Sequence, residues 1–369
     1  MLADLLYALR DWESGFNIFR YITVRAAFAA ITALLFSFVI GPKIINMLRK
    51  HQIGEEIRHD GPETHQAKKG TPTMGGSIIL AAVFISVLLW GKLTNFYIQM
   101  IFLATFWMGV VGFVDDYLKV IKKMKKGLIG RYKMAGQIIL GLILGSAIYF
   151  NPEFAADGLN ANTSLPFFKN YELQFGLLYI PFVVFIIAGT SNAVNLTDGL
   201  DGLATGLIAI AMLAFAGISY VSGHVVFSDY LNIIHLPGSS ELAVYCLAIV
   251  GAAMGFLWYN TYPAEVFMGD TGSLALGSTL GAIAVLIKKE ILLGIIGGVF
   301  AAETLSVIIQ TSYFKYTRKK YGEGRRVFKM APLHHHFELK GWPESKVVAR
   351  FWIIGILLAL LSLATFKVR

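Results

Sequence analysis

The chain has 369 residues, of which 56% are hydrophobic and only 15% are charged, and its mean hydropathy is +0.63. This composition is too apolar for a soluble globular domain, so it indicates that the bilayer is the solvent. The net charge of +9 does not predict nucleic-acid binding, because the basic residues lack interleaved aromatics on a soluble module. The single cysteine, Cys246, excludes a disulfide or a thiolate metal site within one chain.

Apolar runs of roughly 20 residues, the length that spans a bilayer as a helix, recur along the whole chain. The sequence therefore predicts an all-α integral membrane protein, a bundle of about ten transmembrane helices with cytoplasmic active-site loops, and a single polytopic domain over residues 1–369. The predicted spans run from Ile22 to Met47, Met74 to Trp90, Phe96 to Val114, Met134 to Phe150, Phe175 to Gly189, Leu203 to Ser222, Leu242 to Trp258, Ser273 to Ile287, Ile291 to Phe314, and Val347 to Phe366.

Basic residues predict the orientation of these spans. If the first span runs inward, the inner loops 48–70, 115–133 and 315–345 hold five, seven and eight Lys or Arg residues, whereas all outer segments together hold eight. The heavily basic loops are therefore expected in the cytoplasm. The first twenty residues lack the pattern of a cleaved signal peptide, and we expect them to lie along the outer interface.

Four polar clusters sit at the ends of apolar runs, all on the predicted cytoplasmic side. They are Asp115–Asp116, the string from Asn195 to Gly202, Asn260 with Gly269–Asp270, and the string from Pro332 to Glu338. Polar groups at a membrane border are costly unless they converge on a ligand, so this pattern predicts an enzyme with one shared site.

The carboxylates in these clusters predict a cation site. Asp115 and Asp116 offer adjacent oxygen ligands of the kind that Mg²⁺ prefers, although paired aspartates are also common on soluble surfaces. Asp270 lies between glycines at the start of a span, where helix amides attract anions and a metal can bridge to phosphate. Neighbouring Phe267 is interpreted as interfacial packing, with base stacking as the alternative.

Asn195, Asp198 and Asp201 are spaced by three, so they share one face if the segment is helical. Asp201 could instead cap the helix that begins at Leu203, which would leave Asn195 and Asp198 unexplained.

The histidines His334 to His336 cannot all point one way on a regular element. Without a nearby cysteine or an HExxH pattern, zinc is disfavoured, and hydrogen bonds to phosphate from one or two imidazoles are preferred. In the ninth span, Glu303 and Gln310 lie two helical turns apart and hence on one face. Glu303 is expected to be functional or to form a structural hydrogen bond within the bundle.

Several of these strings resemble one family. Gly70-Thr-Pro-Thr-Met-Gly-Gly76, Asp115-Asp116, Asn195-Leu-Thr-Asp-Gly-Leu-Asp-Gly202, Phe267-Met-Gly-Asp270 and Pro332-Leu-His-His-His-Phe-Glu338 together resemble the phospho-N-acetylmuramoyl-pentapeptide transferases of bacterial cell-wall synthesis. The aspartate motifs are shared by the wider superfamily of polyprenyl-phosphate sugar-1-phosphate transferases. The first and last strings resemble this member in particular.

The resemblance implies transfer of phospho-MurNAc-pentapeptide from UDP-MurNAc-pentapeptide to undecaprenyl phosphate, giving lipid I and UMP in peptidoglycan synthesis. It also implies a Mg²⁺ cofactor, a homodimer, a place in the bacterial cytoplasmic (inner) membrane, and a lipid groove beside a bent ninth helix.

The same resemblance implies roles for individual residues. Mg²⁺ is expected on Asp270 with Asp115, and either Asp115 or Asp116 is expected to be the base for the lipid phosphate. The implied catalytic residues are Asp115, Asp116, Asp270, His334, His335 and His336. The implied substrate and nucleotide contacts are Lys68, Thr73, Lys119, Lys133, Asn195, Asp198, Leu200, Asp201, Asn260, Phe267 and Gln310, of which Leu200, Asp201 and Phe267 contact uracil.

Two alternatives stay open at this point. Within the superfamily the donor could be UDP-GlcNAc, and from a different class the chain could be an ion-coupled transporter, although its acidic residues lie at one face and no inverted repeat is evident. Direct attack is preferred over an aspartyl-phosphate intermediate, because each candidate aspartate is also needed as a ligand or a base.

Overall fold

The computed structural model describes residues 2–51, 68, 70–124, 127–168 and 171–366. Several basic residues of the predicted inner loops, namely Arg58, Lys69, Lys125 and Lys126, lie outside the described residues.

Within the described ranges the chain is almost entirely helical, so the prediction of an all-α membrane protein is confirmed. The helices are α1 (Leu2–Ala8), α2 (Ile22–Lys50), α3 (Gly76–Trp90), α4 (Phe96–Val120), α5 (Gly130–Tyr149), α6 (Pro152–Ala156), α7 (Tyr179–Thr197), α8 (Leu203–Ser222), α9 (Val225–Leu231), α10 (Leu242–Asn260), α11 (Gly269–Leu286), α12 (Glu290–Ile296), α13 (Gly298–Tyr321), α14 (Leu333–Glu338) and α15 (Glu344–Ala364). Short 3₁₀ helices cover Leu9–Asp11, Ser14–Arg20, Gly176–Leu178 and Ser239–Glu241. Two strands, β1 (Asn162–Ser164) and β2 (Glu172–Gln174), pair antiparallel with Thr163 opposite Leu173.

The number of membrane-crossing helices differs from the predicted ten. Among the described residues, seven helices are long and apolar enough to cross a bilayer, and an eighth is added if α12 and α13, which meet at 85°, count as one broken span. The seven are α2, α4, α5, α8, α15, and the helices α7 and α10 together with their preceding 3₁₀ turns. The chain is thus a multi-pass membrane protein.

Two of the predicted spans explain the difference. Helix α3 has 15 residues and is short for a bilayer. Helix α11 has 18 residues but begins with Asp270 and is rich in Gly, Ser and Thr, and every residue from Thr271 to Leu286 is buried. Because α11 is surrounded by protein, its composition does not have to match lipid.

Helix α11 forms the centre of the bundle, where it packs against α3, α4 and α7. Glycines allow the backbones to touch. A Cβ on Gly76 of α3 would lie 2.3 Å from the Cα of Gly272, and a Cβ on Gly112 of α4 would lie 2.2 Å from the carbonyl oxygen of Asp270. These contacts bring α3 and α4 directly against the first turn of α11.

The far end of α11 is closed by a second charged group, the Lys288 cluster, which consists of Lys288, Lys289 and Glu290. All three are buried, although the two lysines are among the eight basic residues that the sequence places in the outer segments. Glu290 accepts hydrogen bonds from the hydroxyls of Tyr179, at 2.7 Å, and Thr163. The Lys288 ammonium lies 3.9 Å from the centre of the Tyr179 ring. The β1–β2 hairpin thereby covers this end of the bundle.

Candidate active site

Three carboxylates from two helices meet at the start of α11. Asp115 and Asp116 lie in the last two turns of α4, Asp270 is the second residue of α11, and each offers an oxygen within 4.8 Å of the others. Asp115 and Asp116 are buried, whereas Asp270 is partly exposed. Three like charges at this separation repel one another strongly unless cations neutralise them. We call this group the carboxylate cluster.

Two lysines neutralise part of that charge. Lys119 follows Asp115 by one helical turn, and its Nζ lies 2.6 Å from Asp115 Oδ2 and 2.9 Å from Asp270 Oδ2. Lys133 of α5 places its Nζ 3.1 Å from the same two oxygens. The lysines therefore bind the face of the cluster formed by Asp115 and Asp270.

Asp116 has different partners from those of Asp115. It accepts hydrogen bonds from the backbone N–H of Asp270, at 3.1 Å, and from the N–H and hydroxyl of Thr271, at 2.8 and 2.6 Å. The residue before α11, Met268, has no capping side chain. Asp116 thus caps α11 from a neighbouring helix and satisfies amides that would otherwise be unpaired.

Asn195 and Thr73 border the carboxylate cluster. The Asn195 amide donates to Asp270 Oδ1 at 2.7 Å and to the Ser273 hydroxyl at 2.8 Å. Gly269 has φ +73°, and a Cβ there would lie 2.8 Å from Asp116 Oδ2 and 2.9 Å from Thr73 Oγ1. Only glycine fits at this turn, where Thr73 approaches the start of α11.

The segment after Asn195 is not one continuous helix. Helix α7 ends at Thr197, Asp198 is its C-cap, and Gly202, at φ +77°, precedes α8 as its N-cap. Asn195, Asp198 and Asp201 therefore do not share a helical face, and Asp201 does not cap α8. Gly202, with its backbone in the left-handed region, allows the chain to turn here, and this turn overrides the three-residue spacing.

Asp201 belongs to a second group of charges. The Lys68 ammonium lies 2.6 Å from both Asp201 Oδ1 and Glu344 Oε1, and Asp201 Oδ2 accepts from the backbone N–H of Ala264 at 3.0 Å. Leu200, in the same turn, is buried. This ion-paired group fixes the position of the 199–202 turn relative to α15.

The loop 261–268 runs between this turn and the carboxylate cluster, and Asn260 and Phe267 hold it in place through hydrogen bonds with backbone groups. Buried Asn260 accepts from the N–H of Gly202 at 3.2 Å and donates to the carbonyl of Val266 at 2.9 Å. The N–H of Phe267 donates to the carbonyl of Pro72 at 2.8 Å, and its half-buried ring stays partly accessible. These residues hold the 261–268 loop between Lys68 and Asp270.

The three histidines have three different environments, as their consecutive positions predict. His334 is buried beside Glu303, His335 lies 2.7 Å from Glu338, and the Nδ1 of His336 accepts from the N–H of Lys329 at 3.1 Å. Burial, together with the nearby cations of Lys340 and Lys329, lowers the pKa of His336 below its ordinary value. The Nδ1 acceptor contact also requires the neutral ring.

Gln310 lies on α13, two turns after Glu303, and its side chain forms hydrogen bonds with the backbone of Val327 and Phe328 at 2.9 to 3.1 Å. It holds the segment that returns from α13 to the histidines.

The carboxylate cluster is chemically suited to Mg²⁺, because its side chains offer only hard oxygen ligands. All three carboxylates have partners within the protein, and Asp115 Oδ1 also accepts from the backbone N–H of Leu128 at 2.6 Å. Asp115 and Asp270 are the better candidates to hold the ion, because the lysine side chains on their Oδ2 atoms can move aside, whereas the α11 amides that bond Asp116 cannot.

Sequence reasoning missed Glu344, Ser273 and Thr271. Glu344 follows Pro343 at a helix start, where an acidic residue is ordinary. Its role depends on Lys68, 276 residues away in the chain, and no local pattern predicts such a pair.

Comparisons with known proteins agree over the whole chain. The sequence model of glycosyl transferase family 4 matches residues 98–288. The chain is 53% identical over 369 residues to the phospho-N-acetylmuramoyl-pentapeptide-transferase of Thermodesulfovibrio yellowstonii. It is 54% identical to the proteins of that name from Chloroherpeton thalassium, over 371 residues, and Gemmatimonas aurantiaca, over 383 residues. In all three cases both chains are covered completely.

Proposed function

The chain belongs to the phospho-N-acetylmuramoyl-pentapeptide-transferase family, and on that premise we propose that it transfers phospho-MurNAc-pentapeptide from UDP-MurNAc-pentapeptide to undecaprenyl phosphate. The products are lipid I and UMP. The observation that carries this proposal at the level of chemistry is the carboxylate cluster with its two lysines at the end of apolar helices.

A site at the membrane border suits these substrates. The acceptor has a phosphate head on a long hydrocarbon tail, whereas the donor is a water-soluble nucleotide. Both meet where apolar helices end in ionised groups. Transfer between two anions needs charge neutralisation and in-line positioning more than a strong nucleophile.

In the proposed reaction an oxygen of the lipid phosphate attacks the sugar-linked phosphorus of the donor. The bond from that phosphorus to the oxygen of UMP breaks, and UMP leaves with the bonding electrons. Lys119 and Lys133 lie where they can bind the phosphate oxygens of both substrates. Mg²⁺ held by Asp270 and Asp115 would supply further neutralisation of charge on the transferred group.

The different partners of the two adjacent aspartates support a division of roles. Asp116 accepts three hydrogen bonds from the start of α11, so we assign it the task of positioning Asp270. Asp115 faces the lysines and is the better candidate to take a proton from the lipid phosphate. We therefore propose direct attack, with Asp115 as the base, because Asp116 is engaged by the α11 amides and Asp270 by Lys119, Lys133 and Asn195.

The finer sequence predictions belong to the same proposal. We propose that residues 1–369 form one membrane domain, that the protein is a homodimer in the bacterial cytoplasmic membrane, and that the site faces the cytoplasm. The uneven distribution of Lys and Arg among the loops supports the last point. Labelling of single cysteines at the exposed positions 122 and 340, in a Cys246→Ser background, from the same compartment tests the shared face.

The decisive experiment uses the purified full-length protein in detergent with Mg²⁺ and undecaprenyl phosphate. UMP release is expected with UDP-MurNAc-pentapeptide but not with UDP-GlcNAc, and it should stop with EDTA and return with added Mg²⁺. Release of UMP from UDP-GlcNAc alone would contradict the donor assignment. A phosphorylated aspartate trapped with donor in the absence of the lipid would contradict direct attack.

A further inference from the structure

Glu303 and His334 form a buried pair that the reaction scheme does not use. Glu303 lies on α13 and His334 on α14, and both side chains are fully buried. The backbone N–H of His334 donates to Glu303 Oε1 at 3.2 Å, and the His334 Nδ1 lies 3.3 Å from Glu303 Oε2. Glu303 Oε2 and both ring nitrogens of His334 make no hydrogen bond among the described residues. Glu303 thus holds His334 through the backbone N–H and lies beside the ring at ion-pair distance, and burial of both side chains restricts the movement of the ring.

The other side of the ring contacts the turn after α7. A Cβ on Gly199 would lie 2.4 Å from His334 Nε2 and 3.0 Å from Cε1. Gly199 is not among the described glycines with positive φ, so the imidazole, and not the backbone conformation, is what excludes a side chain here. The ring therefore packs directly on the backbone of the turn.

That turn joins the two charged groups of the site. Before it stands Asn195, which donates to Asp270. After it come Leu200 and Asp201, and Asp201 is ion-paired with Lys68. A shift of the turn would move the Asp201 side of the site while leaving the carboxylates on α4 and α11 in place, because those are fixed by Asp116 and by helix packing.

We propose that Glu303 and His334 act as a positioning pair, in which Glu303 holds the imidazole and the imidazole supports the 199–201 turn, where the resemblance of the sequence implies that Leu200 and Asp201 contact the uracil of the donor. The inference rests on the function proposed above and deepens it. It makes His334 a positioning residue, whereas the partly exposed His335 and His336 are the histidines able to contact substrate. The lipid acceptor does not depend on the pair.

The first test adds a methyl group at the contact. Gly199→Ala is expected to raise the KM for UDP-MurNAc-pentapeptide and the Kd for UMP, measured calorimetrically with Mg²⁺, by about tenfold. The KM for undecaprenyl phosphate should not change. Gly189→Ala is the matched control, because Gly189 lies in α7 with no atom of another residue within 4 Å of an added Cβ.

The second test asks whether the contacts act as a unit. Glu303→Gln and His334→Gln are each expected to give the same selective rise, and the double variant should be no worse than either one. In the His334→Ala background, Gly199→Ala should cost little more, because the ring that excludes the methyl is gone. The Gln variants keep a similar volume, so the test does not depend on a cavity-forming change.

Three results would overturn the inference. The first is a His334→Gln protein with unchanged donor KM and unchanged UMP affinity but a lower kcat, which would make His334 a catalytic residue. The second is additive effects of Glu303→Gln and His334→Gln. The third is Gly199→Ala indistinguishable from Gly189→Ala. Wild-type protein that releases no UMP would instead refute the proposed function, and the inference with it.

Discussion

The two ends of helix α11 each carry buried charges, yet they are built differently. At the first turn three carboxylates lie within 4.8 Å of one another, and Asp270 is partly exposed. Just past the last turn lies the Lys288 cluster, in which all three side chains are buried. There Glu290 accepts hydrogen bonds from two hydroxyls, and Lys289 donates one to the hydroxyl of Ser164. An acid at the N-terminus and lysines beyond the C-terminus both suit the helix dipole.

This contrast shows that a buried charge alone does not identify a functional site. In the Lys288 cluster, Glu290 is bonded to Tyr179 and Thr163 and Lys289 to Ser164, whereas the Lys288 ammonium makes no hydrogen bond among the described residues and lies over the Tyr179 ring. The carboxylate cluster has more negative charge than its two lysines cancel, and it opens outward. An excess of like charge with access from outside is the feature that predicts a ligand.

The largest effect expected from this contrast is for Asp270→Ala, at the open end. UMP release should fall by about a thousandfold, because a group that binds the developing charge is lost. Circular dichroism and the elution volume in detergent should match the wild type. Full turnover by this variant would remove Asp270 from the metal site.

The next comparison separates two adjacent aspartates within that end. Asp116→Asn replaces an acceptor of three hydrogen bonds by a group that carries its own donors, and it should lower the free energy of unfolding by ~1–2 kcal/mol. Asp115→Asn loses the ion pairs with Lys119 and Lys133 but relieves repulsion among the carboxylates and keeps an oxygen that can accept from the Leu128 N–H, so it should lower thermal stability less than Asp116→Asn does. Thermal unfolding midpoints of both variants in one detergent provide the measurement. Equal midpoints would mean that Asp116 is not a cap.

Tyr179→Phe tests the closed end. It removes one hydrogen bond from Glu290, so we expect a loss of stability of ~1–2 kcal/mol with unchanged kcat and KM for both substrates. Phe182→Leu, on the same helix but without a hydrogen bond, is a control for loss of packing. A selective loss of catalysis in Tyr179→Phe would show that this end also serves the reaction.

The smallest expected effect is the change in folding stability with pH that arises from His336. Its pKa lies below the ordinary value of about 6.5, mainly because of burial, with Lys340 and Lys329 adding to the shift. The unfolded chain therefore takes up this proton more readily than the folded protein. The stability contributed by neutral His336 is present above the ordinary pKa and is lost as the pH falls below it.

An NMR titration of ¹⁵N-histidine-labelled protein measures this directly, with His336→Gln to assign the resonance. The resonance should titrate at lower pH than that of an exposed histidine. Titration above pH 6.5 would show that the Lys329 N–H contact does not hold the ring neutral.

The helical class and the chemistry of the site could be predicted because both leave local marks. Apolar runs predict the helices. Carboxylates at the ends of those runs, such as Asp115 and Asp270, predict the carboxylate cluster. The span count could not be predicted in the same way. Hydropathy identifies helices whose surfaces contact lipid, whereas every residue of α11 from Thr271 to Leu286 is buried within the protein.

The roles of individual residues also escaped sequence reasoning where partners are distant. Asp115 and Asp116 look equivalent in the chain, and only the position of α11 separates the cap, Asp116, from the carboxylate that pairs with the lysines, Asp115. The three-residue spacing predicts that Asp201 and Asn195 share one helical face. The chain turns between Gly199 and Gly202, however, and Asp201 forms an ion pair with Lys68 instead. Such choices depend on tertiary contacts that no window of sequence contains.

The glycine crossings at Gly76–Gly272 and Gly112–Asp270 have one last consequence. Where main chains touch, no rotamer can change between them, so the distance between the end of α4 and the beginning of α11 is set by the backbones alone. The acids therefore hold their spacing before any substrate arrives, and little reorganisation energy has to be spent when phosphate charge builds up between them.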